Sequence, residues 1–197
     1  MARKKAYEEK IVKLILLKEG IYDLKEDLII KCPISIHGAG QTNTIIQGKG
    51  IVIEGTKEEK QRVNMQGMTM KRSSYCGLSA SNGLSFLCKE MIFTQWGGHG
   101  VCAHNTKGRL INCVITQCGL SGIGCYENAL IEVEGDQTKV DGNGTDGGGI
   151  GLYTHNTSSR IHLLFPLTKE SVSTNNTGGG NYGGDGTIKS VDALESL

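Results

Sequence analysis

The fold is decided by three related stretches, LSASNG (78–83), VCAHNTKG (101–108) and IGCYENA (123–129). Each begins directly after a glycine, places apolar residues two apart and continues into a small polar cluster. Asn82, Asn105 and Asn128 therefore recur at a spacing of 23 residues. A period of about 20–30 residues built from short alternating strands is typical of a solenoid. Because the repeat has no helical periodicity, it predicts a parallel β-helix.

The segments before these stretches extend the repeat. IFTQWGGHG (92–100) aligns with VITQCGLSG (114–122), and strand-like runs fill the N-terminal third of the sequence. We therefore predict an all-β protein with a β-helix of about seven coils over residues 11–190. A short N-terminal helix or arm is expected at 1–10, where it would cover the first coil, and a C-terminal tail at 191–197.

Composition excludes several classes of function. The 197 residues include 29 glycines and 2 prolines, and 21 basic against 20 acidic residues give a net charge of +1. This balance provides no general attraction for nucleic acid or for an anionic membrane surface. No run approaches the roughly 18 apolar residues that a membrane-spanning helix needs. Neither nucleic acid nor membrane is expected as a partner.

The cysteines and the start of the chain bear on its cellular location. The charged opening MARKKAYEEK lacks the pattern of a secretory signal, so a cytoplasmic protein is predicted. The seven cysteines are then expected to be thiols. Since no C-x-x-C pair occurs, neither a metal nor any other cofactor is predicted.

The N-terminal coils carry a family resemblance. The segment EGIYDLKEDLIIKCPISIHGAGQTNTIIQG (19–48) resembles the first coils of right-handed parallel β-helix proteins of the pectin-lyase-like superfamily. The later repeats resemble those shared by carbohydrate-binding proteins and sugar hydrolases. The resemblance implies a right-handed β-helix. It implies no single activity, since such folds include lyases, hydrolases, epimerases and non-catalytic recognition domains.

Alignment of the coils predicts which side chains share a surface. With the glycines at 77, 100, 122 and 149 as one column, alternation along each strand directs His104, Tyr126 and Tyr153 outward. Together with Trp96 and His99, these residues form the candidate ligand-binding site, an aromatic stripe able to stack on sugar rings or to contact a partner protein. The alternative is plain cross-strand aromatic packing that stabilises the sheet.

A second hypothesis places catalysis near the same stripe. Gly98-His99-Gly100 resembles the GHG element of polygalacturonases. Inverting hydrolysis also needs a pair of carboxylates, and the corresponding residues of the coil before His99 include no such pair. The alignment sets Asp146 over Gly119, two positions aside from the His99 column. His99, Asp146 and His155 are therefore the catalytic candidates if the protein is an enzyme.

Three functions remain open from the sequence. The preferred one is a non-catalytic recognition scaffold that binds an oligosaccharide or a protein or peptide along the stripe. The alternatives are a polysaccharide-active enzyme (hydrolase, lyase or epimerase) and an assembly protein whose coils stack end to end with other subunits. The column of Asn82, Asn105 and Asn128 is predicted to form a buried amide ladder with a structural role.

Overall fold

The structure, a computed structural model, describes residues 13–55, 62–73 and 75–192. These ranges hold 20 strands and one short helix, which form a right-handed parallel β-helix of about seven coils, as predicted. The predicted N-terminal arm and the tail beyond residue 192 lie outside the described residues. No helix in the described ranges could span a bilayer.

Each coil contributes one strand to each of three parallel strand stacks. In the first stack, neighbouring strands pair in the order β1 (Lys13–Leu16), β4 (Ile34–His37), the start of β7 (Arg62–Ser73), the start of β9 (Ser85–Trp96), β11 (Lys107–Ile111), β14 (Leu130–Glu134), β17 (Arg160–Leu164) and β20 (Thr187–Val191).

The first and second stacks share the two long strands β7 and β9. Each of these strands bends, so that its first half belongs to the first stack and its second half to the second stack. The order of the second stack is β2 (Gly20–Leu24), β5 (Thr44–Gly48), the second halves of β7 and β9, β12 (Val114–Thr116), β15 (Lys139–Asp141) and β18 (Ser173–Thr174). A four-residue helix, α1 (Lys169–Val172), leads into β18.

The third stack carries the candidate site. Its order is β3 (Leu28–Ile30), β6 (Ile51–Glu54), β8 (Leu78–Ser81), β10 (Val101–His104), β13 (Ile123–Tyr126), β16 (Leu152–Thr154) and β19 (Tyr182–Gly184). The predicted register is confirmed for its central coils, where Leu78 pairs with Val101 and Val101 with Ile123. All three side chains are buried in the core.

The predicted register is wrong by two residues in the next coil. Ile123 pairs with Leu152 and Gly124 with Tyr153, so the glycine column continues through Gly151 and not through Gly149. The glycine-rich insertion before β16 takes up two more residues than the alignment allowed. Tyr153 still faces outward, but it lies beside Gly124 and not beside Tyr126.

The prediction of a buried asparagine ladder is wrong in two respects: the ladder is exposed, and Asn128 is not its third member. Asn82 and Asn105 both adopt the left-handed conformation, with φ of 46° and 48°, and the Asn105 amide donates to Asn82 at 3.2 Å. Both residues are exposed, however. The next left-handed residue in the column is Glu127, at φ 58°, because this coil is one residue shorter than the 23-residue spacing assumed.

A buried amide network lies elsewhere, at the base of the glycine-rich insertion. The Asn143 side chain accepts the Cys118 backbone N–H at 3.1 Å and donates to the Ile115 carbonyl at 3.0 Å. It also donates to Asn176 at 3.0 Å, and Asn176 donates to the Val140 carbonyl at 3.1 Å. This network ties the insertion to the coils on both sides.

The first coil presents apolar side chains to solvent. Leu14, Leu16 and Ile21 are exposed, Leu16 at 71%. Within the described residues, β1, β2 and β3 each pair with a strand on one side only. The end-to-end self-association predicted from the sequence is compatible with this apolar end and stays a prediction.

Candidate functional site

The outer surface of the third stack brings His104, Tyr126 and Tyr153 of the predicted stripe together in two adjacent columns. His104 pairs with Tyr126, and His155 continues this column, since its backbone N–H donates to the Cys125 carbonyl at 2.9 Å. The neighbouring column places Tyr153 beside Gly124. His155, proposed from the sequence only as a catalytic candidate, thus belongs to the stripe itself.

Tyr126 is the centre of this cluster. Its ring stacks on His104 with centroids 4.4 Å apart and planes 8° apart. Tyr153 meets it edge-on at 5.9 Å, and His155 lies 5.5 Å away. Because the rings pack against each other along the solenoid axis, much of the Tyr126 ring surface is already covered. The cross-strand packing considered as the alternative therefore accounts for the His104–Tyr126 contact.

His99 approaches Tyr126 from the turn before β10. Its Nδ1 accepts the backbone N–H of Ser121 at 3.2 Å, and its Nε2 lies 2.9 Å from the Tyr126 hydroxyl. A neutral imidazole carries one ring proton, and Nδ1 is acting as an acceptor. The proton therefore sits on Nε2 and is donated to Tyr126, which leaves the tyrosine hydroxyl proton available for another acceptor.

Burial holds both groups in their neutral forms at neutral pH. It lowers the pKa of the His99 imidazole and raises the pKa of the Tyr126 hydroxyl. Burial also lowers the pKa of His104. The site thus offers uncharged donors and acceptors.

Gly124 makes the contact between Tyr126 and His99 possible. A Cβ atom at Gly124 would lie 2.9 Å from the Tyr126 ring and 3.5 Å from His99 Nδ1. The tyrosine ring folds back over this glycine and reaches the histidine one coil earlier. A larger residue at 124 would displace the ring from His99.

A cleft of about 360 Å³ opens beside the hydrogen-bonded pair. Its polar lining comes from Ser121 and from the two side chains of that pair, and Tyr153 closes one side. The full lining is His99, Leu120, Ser121, Tyr126, Gly148, Gly149, Ile150 and Tyr153. This lining contains no carboxylate, and the described residues contain no cluster of three or more His, Cys, Asp or Glu that could hold a metal ion.

Asp146 lies where the sequence alignment set it but outside the cleft lining. A Cβ atom at Gly119 would collide with the Asp146 carboxylate, and the Asp146 backbone N–H donates to the Gly119 carbonyl at 3.1 Å. The residue is exposed. Of the three catalytic candidates, the structure brings His99 and His155 against Tyr126 and keeps Asp146 apart.

The prediction that Trp96 belongs to the ligand-binding stripe is wrong. Its side chain is 1% exposed and its indole N–H donates to the Met70 carbonyl at 3.2 Å. Strict alternation from the buried Phe93 would direct Trp96 outward, but Gln95 adopts the left-handed conformation at φ 60° and turns Trp96 into the core.

Sequence reasoning missed Ser121, Leu120 and Gly124. A signal for Ser121 was present, because the alignment of 92–100 with 114–122 places it directly over His99. No comparable signal marked Gly124, whose role depends on the direction in which the Tyr126 ring folds.

Comparisons with known proteins add a distant structural likeness. No family model and no curated protein matches this chain. A solved structure that it resembles is the A-module of the mannuronan C-5 epimerase AlgE4 from Azotobacter vinelandii. The two are 11% identical with a TM-score of 0.30 over 92% of this chain and 91% of that module. The strand pairing itself establishes the β-helix, while membership of the pectin-lyase-like superfamily stays a prediction.

Proposed function

We propose that the protein is a recognition module that binds a saccharide unit in the cleft beside Tyr126. The observation that supports this proposal is the hydrogen-bond pattern of that cleft. The His99 proton fills one acceptor site of the Tyr126 hydroxyl, whose own proton can be donated to a ligand. Sugar hydroxyls accept such bonds, and they also donate to neutral oxygen and nitrogen acceptors.

The rest of the lining suits a small, partly apolar ring. Leu120 and Ile150 supply aliphatic contact, while Tyr153 adds an aromatic surface next to the polar pair. Ligand pockets usually combine apolar walls with a few fixed polar groups, and a volume of about 360 Å³ lies at the small end of their range. The C–H side of a pyranose matches the apolar contacts and its hydroxyls match the polar ones.

Replacing Tyr126 by phenylalanine is the sharpest test of this proposal. The ring that packs on His104 is kept, but the hydroxyl is lost and the His99 N–H loses its acceptor. We expect binding to weaken by roughly 10- to 100-fold, about 1.4–2.7 kcal/mol. Titration calorimetry and NMR shifts, measured with short neutral gluco-, xylo- and manno-oligosaccharides and with uronate oligosaccharides, would report the change.

Tyr182→Phe is the matched control. Tyr182 lies on the same stack in β19, but its hydroxyl contacts Glu170 at 3.2 Å and it does not line the cleft. This variant should bind as the wild type does. An oligosaccharide that binds equally well to Tyr126→Phe, or that shifts resonances away from the cleft, would contradict the proposal. A peptide that alone shifts the cleft resonances would replace the saccharide with a peptide partner.

A second candidate, a polysaccharide-active enzyme, is favoured by the fixed proton arrangement of His99 and Tyr126. An imidazole that donates to a phenol in a half-buried cleft can pass a proton to or from a bound substrate. The raised pKa of Tyr126 keeps its hydroxyl protonated, so it can donate a hydrogen bond to a substrate, and His99 is the better candidate for proton transfer. Because the lining has no carboxylate, this chemistry would have to proceed without the carboxylate pair used by most glycoside hydrolases.

The catalytic alternative makes a distinct prediction. Turnover of a polysaccharide should fall by about 100-fold or more in His99→Ala, as expected when a general acid–base group is removed. Asp146→Asn should keep its activity, since Asp146 lies outside the lining. Assays for new reducing ends, for unsaturated sugars and for epimer ratio cover the three reaction types. Absence of turnover in all of them would remove this alternative and leave recognition.

A further inference from the structure

An exposed aromatic residue lies on the N-terminal side of the cleft. Tyr75 is 66% exposed, and the Lys49 ammonium group lies 5.6 Å from the centre of its ring. A cation at this distance is attracted to the face of an aromatic ring. The contact therefore favours one orientation of a ring whose surface is largely open to solvent.

Backbone hydrogen bonds connect Tyr75 to the cleft. The Gly98 N–H donates to the Tyr75 carbonyl at 3.1 Å, and the Leu120 N–H donates to the Gly98 carbonyl at 3.1 Å. Leu120 lines the cleft, and so does His99, which follows Gly98 directly. Tyr75 and Leu120 therefore occupy the same turn in coils two apart, and their backbones are separated by about 10 Å.

Glycines form the turn that separates Tyr75 from the cleft. Gly97 and Gly98 adjoin His99, and neither carries a side chain that would stand between the cleft and the Tyr75 ring. A Cβ atom at Gly98 would lie 3.0 Å from the Tyr75 backbone, so glycine also allows these two coils to approach closely. The turn thus leaves room for a ligand that extends beyond the cleft.

We propose that Tyr75 and Lys49 form a second saccharide subsite, so that the ligand is a linear oligosaccharide running along the solenoid axis from the cleft toward the N-terminal coils. This inference rests on the proposed saccharide recognition and specifies the form of its ligand. The Tyr75 ring offers a face to the C–H side of a sugar unit, and the Lys49 ammonium group can donate to its hydroxyls. A single sugar in the cleft would contact neither residue.

The C-terminal side of the cleft is less suited to a second sugar unit. Tyr182 lies there, in the coil after Leu152, with which it pairs. It is only 38% exposed, the Lys169 ammonium group lies 4.3 Å from the centre of its ring, and its hydroxyl donates to Glu170 at 3.2 Å. Tyr75 offers more open ring surface, so the N-terminal direction is favoured.

The dependence of affinity on ligand length tests the inference. Gluco-, xylo-, manno- and uronate oligosaccharides of increasing length are titrated into the wild type by calorimetry. We expect the series that binds to gain roughly 3- to 10-fold in affinity between the disaccharide and the tetrasaccharide, because the longer chain reaches Tyr75. Tyr75→Ala should lose this gain, and Tyr75→Phe should keep it because the ring is preserved.

Two further variants separate the second subsite from saccharide recognition in the cleft. Tyr126→Phe should weaken binding at every length but keep the affinity ratio of tetrasaccharide to disaccharide. Tyr182→Ala is the matched control and should also keep this ratio. A wild-type affinity that does not rise with length, or a rise that persists in Tyr75→Ala, would overturn the second subsite and leave recognition in the cleft. Absence of binding at every length would overturn both.

Discussion

Replacing Trp96 by alanine is expected to lower the free energy of unfolding by about 3–5 kcal/mol. The indole fills the corner between the second and third strand stacks, where a Cβ atom at Gly77 would lie 2.8 Å from the indole nitrogen. Its loss removes a large apolar contact area and leaves a cavity that the β-sheet backbone cannot close. The Met70 carbonyl also loses the indole donor.

Chemical denaturation followed by circular dichroism measures this change. Tyr75→Ala is the control, because Tyr75 is an aromatic residue of the preceding coil and its side chain is 66% exposed. We expect the control to stay within about 0.5 kcal/mol of the wild type. The wild-type protein offers an independent check, since acrylamide should barely quench the fluorescence of its single tryptophan. Strong quenching would place Trp96 at the surface and restore the sequence-based interpretation.

Replacing Asn143 by alanine is expected to cost about 2–4 kcal/mol. Its amide group is fully buried and hydrogen-bonds three backbone groups and a second buried asparagine, Asn176. Alanine leaves the Cys118 N–H and the Ile115 carbonyl without these partners, and each unsatisfied buried group carries a penalty of about 1–3 kcal/mol. A chain of this size would lose roughly 4–16 °C in melting temperature.

Asn105→Ala is the matched control for this prediction. Its side-chain amide donates one hydrogen bond, to Asn82, on the exposed surface. Water can replace that bond, so we expect a change of about 1 kcal/mol or less, including the cost of the left-handed backbone. Equal melting temperatures for Asn143→Ala and wild type, measured by calorimetry, would refute the buried network.

Much of the fold could be predicted from the sequence because alternation and repeat length act locally. The alignment of 92–100 with 114–122 correctly paired Thr94 with Thr116, and the column of glycines placed Asp146 beside Gly119. It also stacked Trp96 on Cys118, a small buried residue, so the same alignment carried evidence that the tryptophan is in the core. The aromatic residue type suggests a binding surface, but the position of Trp96 in the repeat determines its burial.

The site was harder to predict because it depends on turns and on side-chain direction. Because of two extra residues in the insertion before β16, Tyr153 lies in the column beside that of Tyr126, and His155 takes the position next to Tyr126. The proton arrangement of His99 depends on the Ser121 backbone N–H, which no residue pattern specifies. Such features arise from the packing of several coils and have no signature within any one of them.

The insertion at 142–149 has a consequence for redesign of the protein. Its first end is held by Asn143 and by the Gly144 N–H, which donates to the Cys118 carbonyl at 2.8 Å. At its second end, Gly149 packs against the Leu120 backbone and bounds the cleft. The residues between these anchors, 145–148, are exposed. This segment is therefore a natural site for loop grafting, in which new sequences of varied length could change ligand preference while the coils keep their register.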